Sequence, residues 1–120
     1  MLTHFAIILY SNLELELHKI YQVQWDKGPI NCVSFNHNRE LLASGGDDET
    51  IRIWDIPRKK CKQIIEDHSR RWGQITCLVW LGGRANDDLQ PIAFGTGRGL
   101  VIIYRRSRTD VSYTDRRNKP

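Results

Sequence analysis

The chain has 120 residues, of which 40% are hydrophobic, and this is enough for one ordinary domain with a core. Its formal net charge is +4, yet residues 1–104 hold 12 Lys and Arg against 12 Asp and Glu, so the excess lies at the C-terminus. No apolar run approaches the ~20 residues of a transmembrane helix, and no membrane partner is therefore expected.

The predicted elements are all short strands. Residues 13–17 alternate Leu and Glu, which is the period of a strand, and helical periodicity is absent. In chain order the predicted strands are residues 5–10, 18–24, 30–35, 41–46, 50–55, 61–66, 75–81, 91–95 and 100–105, with 109–113 as a candidate tenth.

These strands repeat along the chain. Residues 30–35 align with 75–80 at an offset of 45, and residues 51–54 align with 101–104 at an offset of 50. The five extra residues fall in a polar loop between Gly82 and Pro91, and a third copy of the pattern occurs at residues 7–10. A period near ~40–45 residues with about four strands per unit is typical of propeller blades.

Residues 41–55 read LLASGGDDETIRIWD, and this stretch resembles the signature of the WD-repeat family, whose repeats build β-propellers. The resemblance implies an all-β fold, a partial WD-type propeller with antiparallel four-stranded blades. The expected domain covers residues 1–105. It contains a blade end at 5–24, a full blade at 30–66 and a degenerate blade at 75–105, and a basic tail at 106–120 follows it.

The resemblance also implies a hydrogen-bonded network that holds each blade. Its expected members are Ser44, Asp48, Trp54 and, in the next blade, His68. The chain departs from the family pattern in several places. Residues 25–28 stand where a Gly-His pair is typical, and Glu49 stands where a glycine often follows the turn Asp. In the last blade Phe94, Arg98 and Tyr104 replace Ser, Asp and Trp.

About two and a half repeats cannot close a propeller of four to eight blades. Three explanations fit: a fragment of a longer propeller, a truncated product, or a chain that assembles with further copies or partners. The unpaired sheet faces are expected to be lined by Ile8, Tyr10, Val79, Ile102 and Tyr104 and to drive self-association or contact with further blades.

No constellation of residues points to catalysis, a cofactor or a metal. Ser44, Asp48 and His68 are triad residue types, but no G-x-S-x-G elbow surrounds the serine. The glycines of residues 95–99 lack the Lys-Ser/Thr of a phosphate loop and indicate a tight turn. The His and Cys residues lack zinc spacing. An odd count of three cysteines favours a reduced, intracellular protein of the cytoplasm or nucleus, with Cys32 and Cys77 packed as small hydrophobes.

The sequence therefore predicts a non-enzymatic scaffold that binds protein or peptide partners through propeller loops. The turn after the second strand and the loop before the first emerge on one rim of a propeller. The candidate partner-binding residues on this rim are Trp25, Lys27, Asp47, Glu49, Arg70, Arg71, Trp72 and Arg98. A second interpretation leaves the arginines solvated and packs Trp72 over the blade edge. The alternative function is nucleic-acid association through the basic C-terminal tail.

Overall fold

The computed structural model describes residues 5–13, 16–25, 28–82 and 90–106, with side chains described from residue 28 onward. Within these ranges every regular element is a β-strand, and no helix is long and apolar enough to cross a membrane. The alternation and the β-branched runs of the sequence explain the strands.

Nine antiparallel strands form three sheets in chain order. Sheet A pairs β1 (Phe5–Leu13) with β2 (Glu16–Trp25). Sheet B has the order β3 (Ile30–Phe35), β4 (Leu41–Gly46), β5 (Thr50–Asp55) and β6 (Lys60–Glu66). Sheet C has the order β7 (Ile75–Trp80), β8 (Ile92–Thr96) and β9 (Val101–Tyr104). These nine strands lie within a few residues of their predicted positions, and the candidate strand at 109–113 lies outside the described residues.

The internal repeat has a matching structural irregularity. The register shifts between Ile30 and Cys32 in sheet B and between Ile75 and Cys77 in sheet C. After the shift, Cys32 pairs with Gly45, and Cys77 pairs with the equivalent Gly95. A β-bulge raises the local twist and bends its strand, so both sheets carry the same bend at the same place.

The core lies between sheets B and C. The first strand of sheet C, β7, packs against β3 and β4 of sheet B. The buried side chains that form this core are Leu41, Ala43, Ile51, Ile53, Ile65, Trp72, Ile75, Trp80, Ile92, Phe94, Ile102 and Tyr104. Glycine is required where the sheets are closest, because a Cβ atom on Gly45 would lie 2.5 Å from Cγ2 of Ile75.

The opposite face of sheet C is exposed and apolar. Val79, Val101 and Ile103 lie on this face, and Val101 is 83% exposed. Ile102 and Tyr104, which were predicted to line an open face, are instead buried against sheet B. That prediction assigned Ile102 and Tyr104 to the wrong face of β9. Side chains alternate between the two faces of a strand, so an error of one residue exchanges the faces.

Cys32 and Cys77 occupy equivalent positions in sheets B and C but differ in burial. Cys32 is half-buried beside the core, and burial raises the pKa of its thiol to about 11, so the thiol stays protonated at neutral pH. Cys77 was predicted to be packed in the same way, but it is exposed because it lies on the open face of sheet C. Cys61 is also exposed, and all three thiols are free.

Arg106 is part of the fold. It is only 5% exposed, its Nε donates to Oε1 of Gln63 at 2.9 Å, and its guanidinium carbon lies 5.4 Å from the centre of the Trp80 ring. Trp80 in turn donates its Nε1 to the carbonyl of Ser34 at 2.8 Å. Arg106, which was predicted to be the first residue of the basic tail, thus joins the end of sheet C to sheet B. Residues 107–120 lie outside the described residues.

Candidate functional site

The indole of Trp54 is held by a direct hydrogen bond. Its Nε1 donates to Oγ of Ser44 at 2.9 Å, and both residues are buried on neighbouring strands. Trp54 packs with Leu42 in a second apolar cluster, with Ile30 and Ile56 beside them. A buried indole N–H costs free energy unless it has an acceptor, so Ser44 allows this tryptophan to be buried.

The carboxylate of Asp48 holds the turn between β4 and β5. Oδ1 accepts hydrogen bonds from the backbone N–H of Thr50 at 3.2 Å and from its hydroxyl at 2.8 Å. Oδ2 lies 3.2 Å from Nη2 of Arg52, whose guanidinium is largely buried. An aspartate that binds the backbone two residues later is a common turn device, and here it also anchors the next strand.

Glu49 occupies the turn position where the family typically has glycine. Its φ is +67°, in the left-handed region, and the equivalent position in sheet C is Gly99 at +84°. A non-glycine residue in this conformation costs roughly 1–2 kcal/mol. The side chain of Glu49 offsets part of that cost, because its Oε1 accepts a hydrogen bond from the backbone N–H of Gly73 at 3.0 Å.

His68 does not take part in the Trp54–Ser44 hydrogen bond. Its side chain is 71% exposed on the turn after β6, with Nδ1 3.5 Å from Oε1 of Glu66. The structure therefore brings Ser44 and Trp54 together and places Asp48 on the adjoining turn, whereas His68 lies on an exposed turn. A buried nucleophile and an exposed imidazole do not make a catalytic pair.

The acidic turn of sheet B is tied to the basic loop before sheet C, which we call the inter-blade clasp (residues 47–49 with 70–73). Besides the Glu49–Gly73 bond, Nη1 of Arg70 donates to the carbonyl of Asp48 at 2.9 Å. On the sheet B side, Nδ2 of Asn31 donates to Oδ1 of Asp47 at 2.8 Å and to the carbonyl of Ile75 at 3.0 Å. The acidic turn and the basic loop are thus joined within the molecule, and both Glu49 and Arg70 bind backbone groups of the opposite segment.

Trp72 was predicted to be available to a partner, and the structure corrects this. It is 0% exposed and lies in the core between sheets B and C. Its ring meets that of Phe94 edge-on, with centroids 4.9 Å apart and an interplanar angle of 62°. Phe94 replaces the serine of the preceding repeat, so the last blade uses an aromatic pair where sheet B uses a hydrogen bond.

Arg71, another candidate contact residue, is engaged by a buried carboxylate that the sequence reasoning missed. Asp67 is 2% exposed, and its two oxygens accept from Nε of Arg71 at 2.8 Å and from Nη2 at 3.0 Å. The backbone N–H groups of Arg71 and Ser69 also donate to this carboxylate. The Arg71 hydrogen bonds hold the pKa of Asp67 well below its usual range, although burial opposes them. The four-residue spacing from Asp67 to Arg71 was the signal that could have revealed the pair.

We expect Asp67 to make the fold acid-sensitive. A depressed folded-state pKa contributes stability above the unfolded value of about 3.9, and that stability is lost as the pH falls toward the folded value. Asp67→Asn should therefore lower the free energy of unfolding at pH 7 by about 2–3 kcal/mol, the contribution of hydrogen bonds to a charged group. The difference from the parent should shrink below about pH 4.

Urea denaturation followed by circular dichroism at pH values from 2.5 to 7 measures this effect. Asp47→Asn is the matched control, since Asp47 is exposed on the neighbouring turn. A constant difference between the Asp67→Asn variant and the parent at every pH would contradict the assignment.

The remaining candidate residues differ in accessibility. Asp47, Arg70 and Arg98 are exposed on one rim, where the backbone N–H of Arg98 donates to the carbonyl of Trp72 at 3.3 Å. Trp25 ends β2, and Lys27 lies outside the described residues. In the described ranges, no group of three or more His, Cys, Asp and Glu is arranged to hold a metal ion.

Comparisons with known proteins agree with this geometry. The family model described as WD domain, G-beta repeat matches residues 16–55. The chain is similar to the ribosome biogenesis protein BOP1 homologs of Drosophila virilis and Drosophila mojavensis, each 34% identical over 74 residues. That of Drosophila erecta is 32% identical over the same length. These matches cover 62% of this chain and only 8–9% of the relatives.

The matched segment explains how the sequence repeat relates to the sheets. Residues 16–55 begin at β2, in sheet A, and end with β5 of sheet B. One sequence repeat therefore contributes strands to two successive sheets. The match, the antiparallel sheets in series and the Trp54–Ser44 hydrogen bond show that the chain carries a WD repeat and has the fold of a partial WD-type propeller.

Proposed function

We propose that the chain is a non-enzymatic, intracellular scaffold of ribosome biogenesis, which binds protein or peptide partners through its loop rim. The family match and the relatives named as ribosome biogenesis proteins support this assignment. Because the match covers under a tenth of those relatives, the proposal concerns only the propeller segment that the chain shares with them.

The observation that carries the proposal is the construction of the rim. Two successive sheets contribute turns to it, and the inter-blade clasp ties the turns together. Asp47, Arg70 and Arg98 remain exposed on this fixed ridge, and they present both signs of charge. A rigid binding surface loses little conformational freedom on association, and arginine is enriched where interfaces gain binding energy.

We also propose a division of the chain that follows from these contacts. Residues 1–106 form the partial propeller, with Arg106 inside it, and the basic tail begins at residue 107.

Sheet C has an exposed apolar face that contains Val101 and Ile103. These residues align with Ile51 and Ile53, which lie on the face of sheet B that sheet C covers. Further propeller blades or a second copy of the chain would pack on the exposed face of sheet C.

Charge reversal on the rim tests the scaffold function. Arg98→Glu combined with Arg70→Glu should reduce the recovery of specific partner proteins, and co-sedimentation with ribosomal precursor particles, by at least about 10-fold. Like charges placed against each other in an interface cost several kcal/mol. The measurement is quantitative mass spectrometry of proteins purified with the tagged chain.

The control is Arg105→Glu, which reverses one exposed arginine at the opposite end of β9. It is compared with Arg98→Glu alone as well as with the double variant. Thermal unfolding of each variant shows whether the fold is retained. If the folded rim variant recovers the same partners as the Arg105→Glu control, the rim is not the binding surface.

A further inference from the structure

A separate cluster of basic side chains lies at the end of sheet B opposite the rim. It is built from the turn between β3 and β4 (residues 36–40) and the turn between β5 and β6 (residues 56–59). We call it the basic end; its exposed cations are Arg39, Arg58, Lys59 and Lys60. The acidic residues there are Glu40 and the buried Asp55, so positive charge predominates.

The two turns form one fixed surface. The backbone N–H of Ile56 donates to the carbonyl of Glu40 at 2.9 Å, which joins the turns directly. Oδ1 of Asn36 accepts from the N–H of Leu41 at 3.0 Å, and Oδ1 of Asp55 accepts from the N–H of Arg58 at 3.0 Å. Each turn is thus closed by a buried side chain at its base, and the cations are held on the outside.

The backbone at the basic end is also unusual. Arg39 and Lys59 have φ values of +63° and +55°, a left-handed conformation that is unfavourable for a non-glycine residue. Glycine would remove this cost at either position, and the chain carries a long cation instead. Residues held in such conformations concentrate at functional sites.

These cations are not neutralised within the described part of the chain. Arg58 pairs with Asp55 through Nη1 and Oδ2 at 3.0 Å, but Arg39, Lys59 and Lys60 have no ion-pair partner among the described residues. At the rim, by contrast, Arg71 is paired with Asp67, and Arg70 contacts the acidic turn at residues 47–49. The basic end is therefore the stronger attractor of an external anion.

From this arrangement we propose that the basic end binds the phosphate backbone of single-stranded nucleic acid. Lysine is depleted in the cores of protein–protein interfaces, so adjacent Lys59 and Lys60 favour phosphate over a protein partner. Phe35 is 42% exposed at the end of β3, directly before the first turn. Proteins bind single strands by combining exposed aromatic rings with a basic surface, and Phe35 is the residue before the first of the two turns. This surface lies at the end of sheet B opposite the rim, and none of its residues belongs to the tail at 107–120.

Neutralising the two lysines tests the proposal. The probe is a 20-nucleotide fluorescein-labelled oligouridylate, and its anisotropy gives the Kd for the full chain between 50 and 200 mM NaCl. Each phosphate contact to a single strand contributes about 0.7 to the slope of log K against log salt. Lys59→Gln combined with Lys60→Gln should therefore reduce the slope by about 1.4 and weaken binding at 50 mM salt by some tens of fold.

The controls separate the alternatives. The first control is Arg70→Gln combined with Arg98→Gln, which removes two cations from the rim and should leave the slope of log K against log salt unchanged. The second is deletion of residues 107–120, which keeps Arg106 and measures how much of the slope comes from the tail. An unchanged slope for the folded lysine variant would overturn the proposal, whatever the tail deletion does. The proposal would also be overturned if polyglutamate of equal charge displaced the oligonucleotide at equal concentration, because that result indicates a site for acidic protein segments.

Discussion

Replacing Trp72 by alanine should lower the free energy of unfolding by about 3–5 kcal/mol, the usual cost of truncating a buried tryptophan. The side chain is completely buried between sheets B and C, and its edge contact with Phe94 would be lost. Neighbouring strands are held in their sheets by backbone hydrogen bonds, so the space can collapse only partly and a cavity remains.

Equilibrium unfolding in urea, followed by circular dichroism, measures the loss. Arg70→Ala is a suitable control, because it changes an exposed residue of the same loop and removes only its bond to the Asp48 carbonyl. We expect the control to lose about 1 kcal/mol or less. If both variants unfold at the same urea concentration as the parent, Trp72 does not hold the two sheets together.

Trp54→Ala should have an effect of similar size, about 3–5 kcal/mol, and for a partly different reason. The change removes the buried indole from its cluster with Leu42, and it also removes the donor to Ser44 Oγ. Trp54→Phe retains an aromatic ring and loses the hydrogen bond together with part of the indole. The loss of the hydrogen bond should cost about 1–3 kcal/mol, because a buried hydroxyl is left without that donor.

A double-mutant cycle isolates the hydrogen bond. Once Ser44 is alanine, Trp54→Phe should cost less than it does in the parent, since the acceptor is already absent. The parent, Ser44→Ala, Trp54→Phe and the double variant are compared by urea unfolding. Strictly additive losses would mean that the 2.9 Å contact does not contribute to stability.

Several features of the chain were accessible from the residues alone. The positions of β3 to β5 follow from alternation and from the turn residues Gly46, Asp47 and Asp48, which act within a few residues along the chain. The repeat offset located the equivalent strands of sheet C. The WD-type motif placed Ser44 and Trp54 in one hydrogen-bonded network, and in the structure the indole N–H of Trp54 donates to Ser44.

Other features were not accessible, because they depend on contacts distant in sequence. Arg106 looked like tail charge until its contact with Gln63, 43 positions earlier, placed it in the fold. Trp72 is of a residue type that is common in binding sites, and it is buried only because sheet C packs against sheet B. The cations of the basic end are spread over two turns that the Ile56–Glu40 hydrogen bond brings together.

By itself, the sequence determined the strand period, the internal repeat and the likeness of residues 16–55 to a WD repeat. These properties depend on local alternation and turn chemistry, which each segment carries along the chain. The tertiary structure alone decided which face of each strand is covered. A period of two defines two faces without stating which one meets a neighbouring sheet, so it was the position of sheet C that buried Ile102 and Tyr104 and exposed Val101 and Ile103.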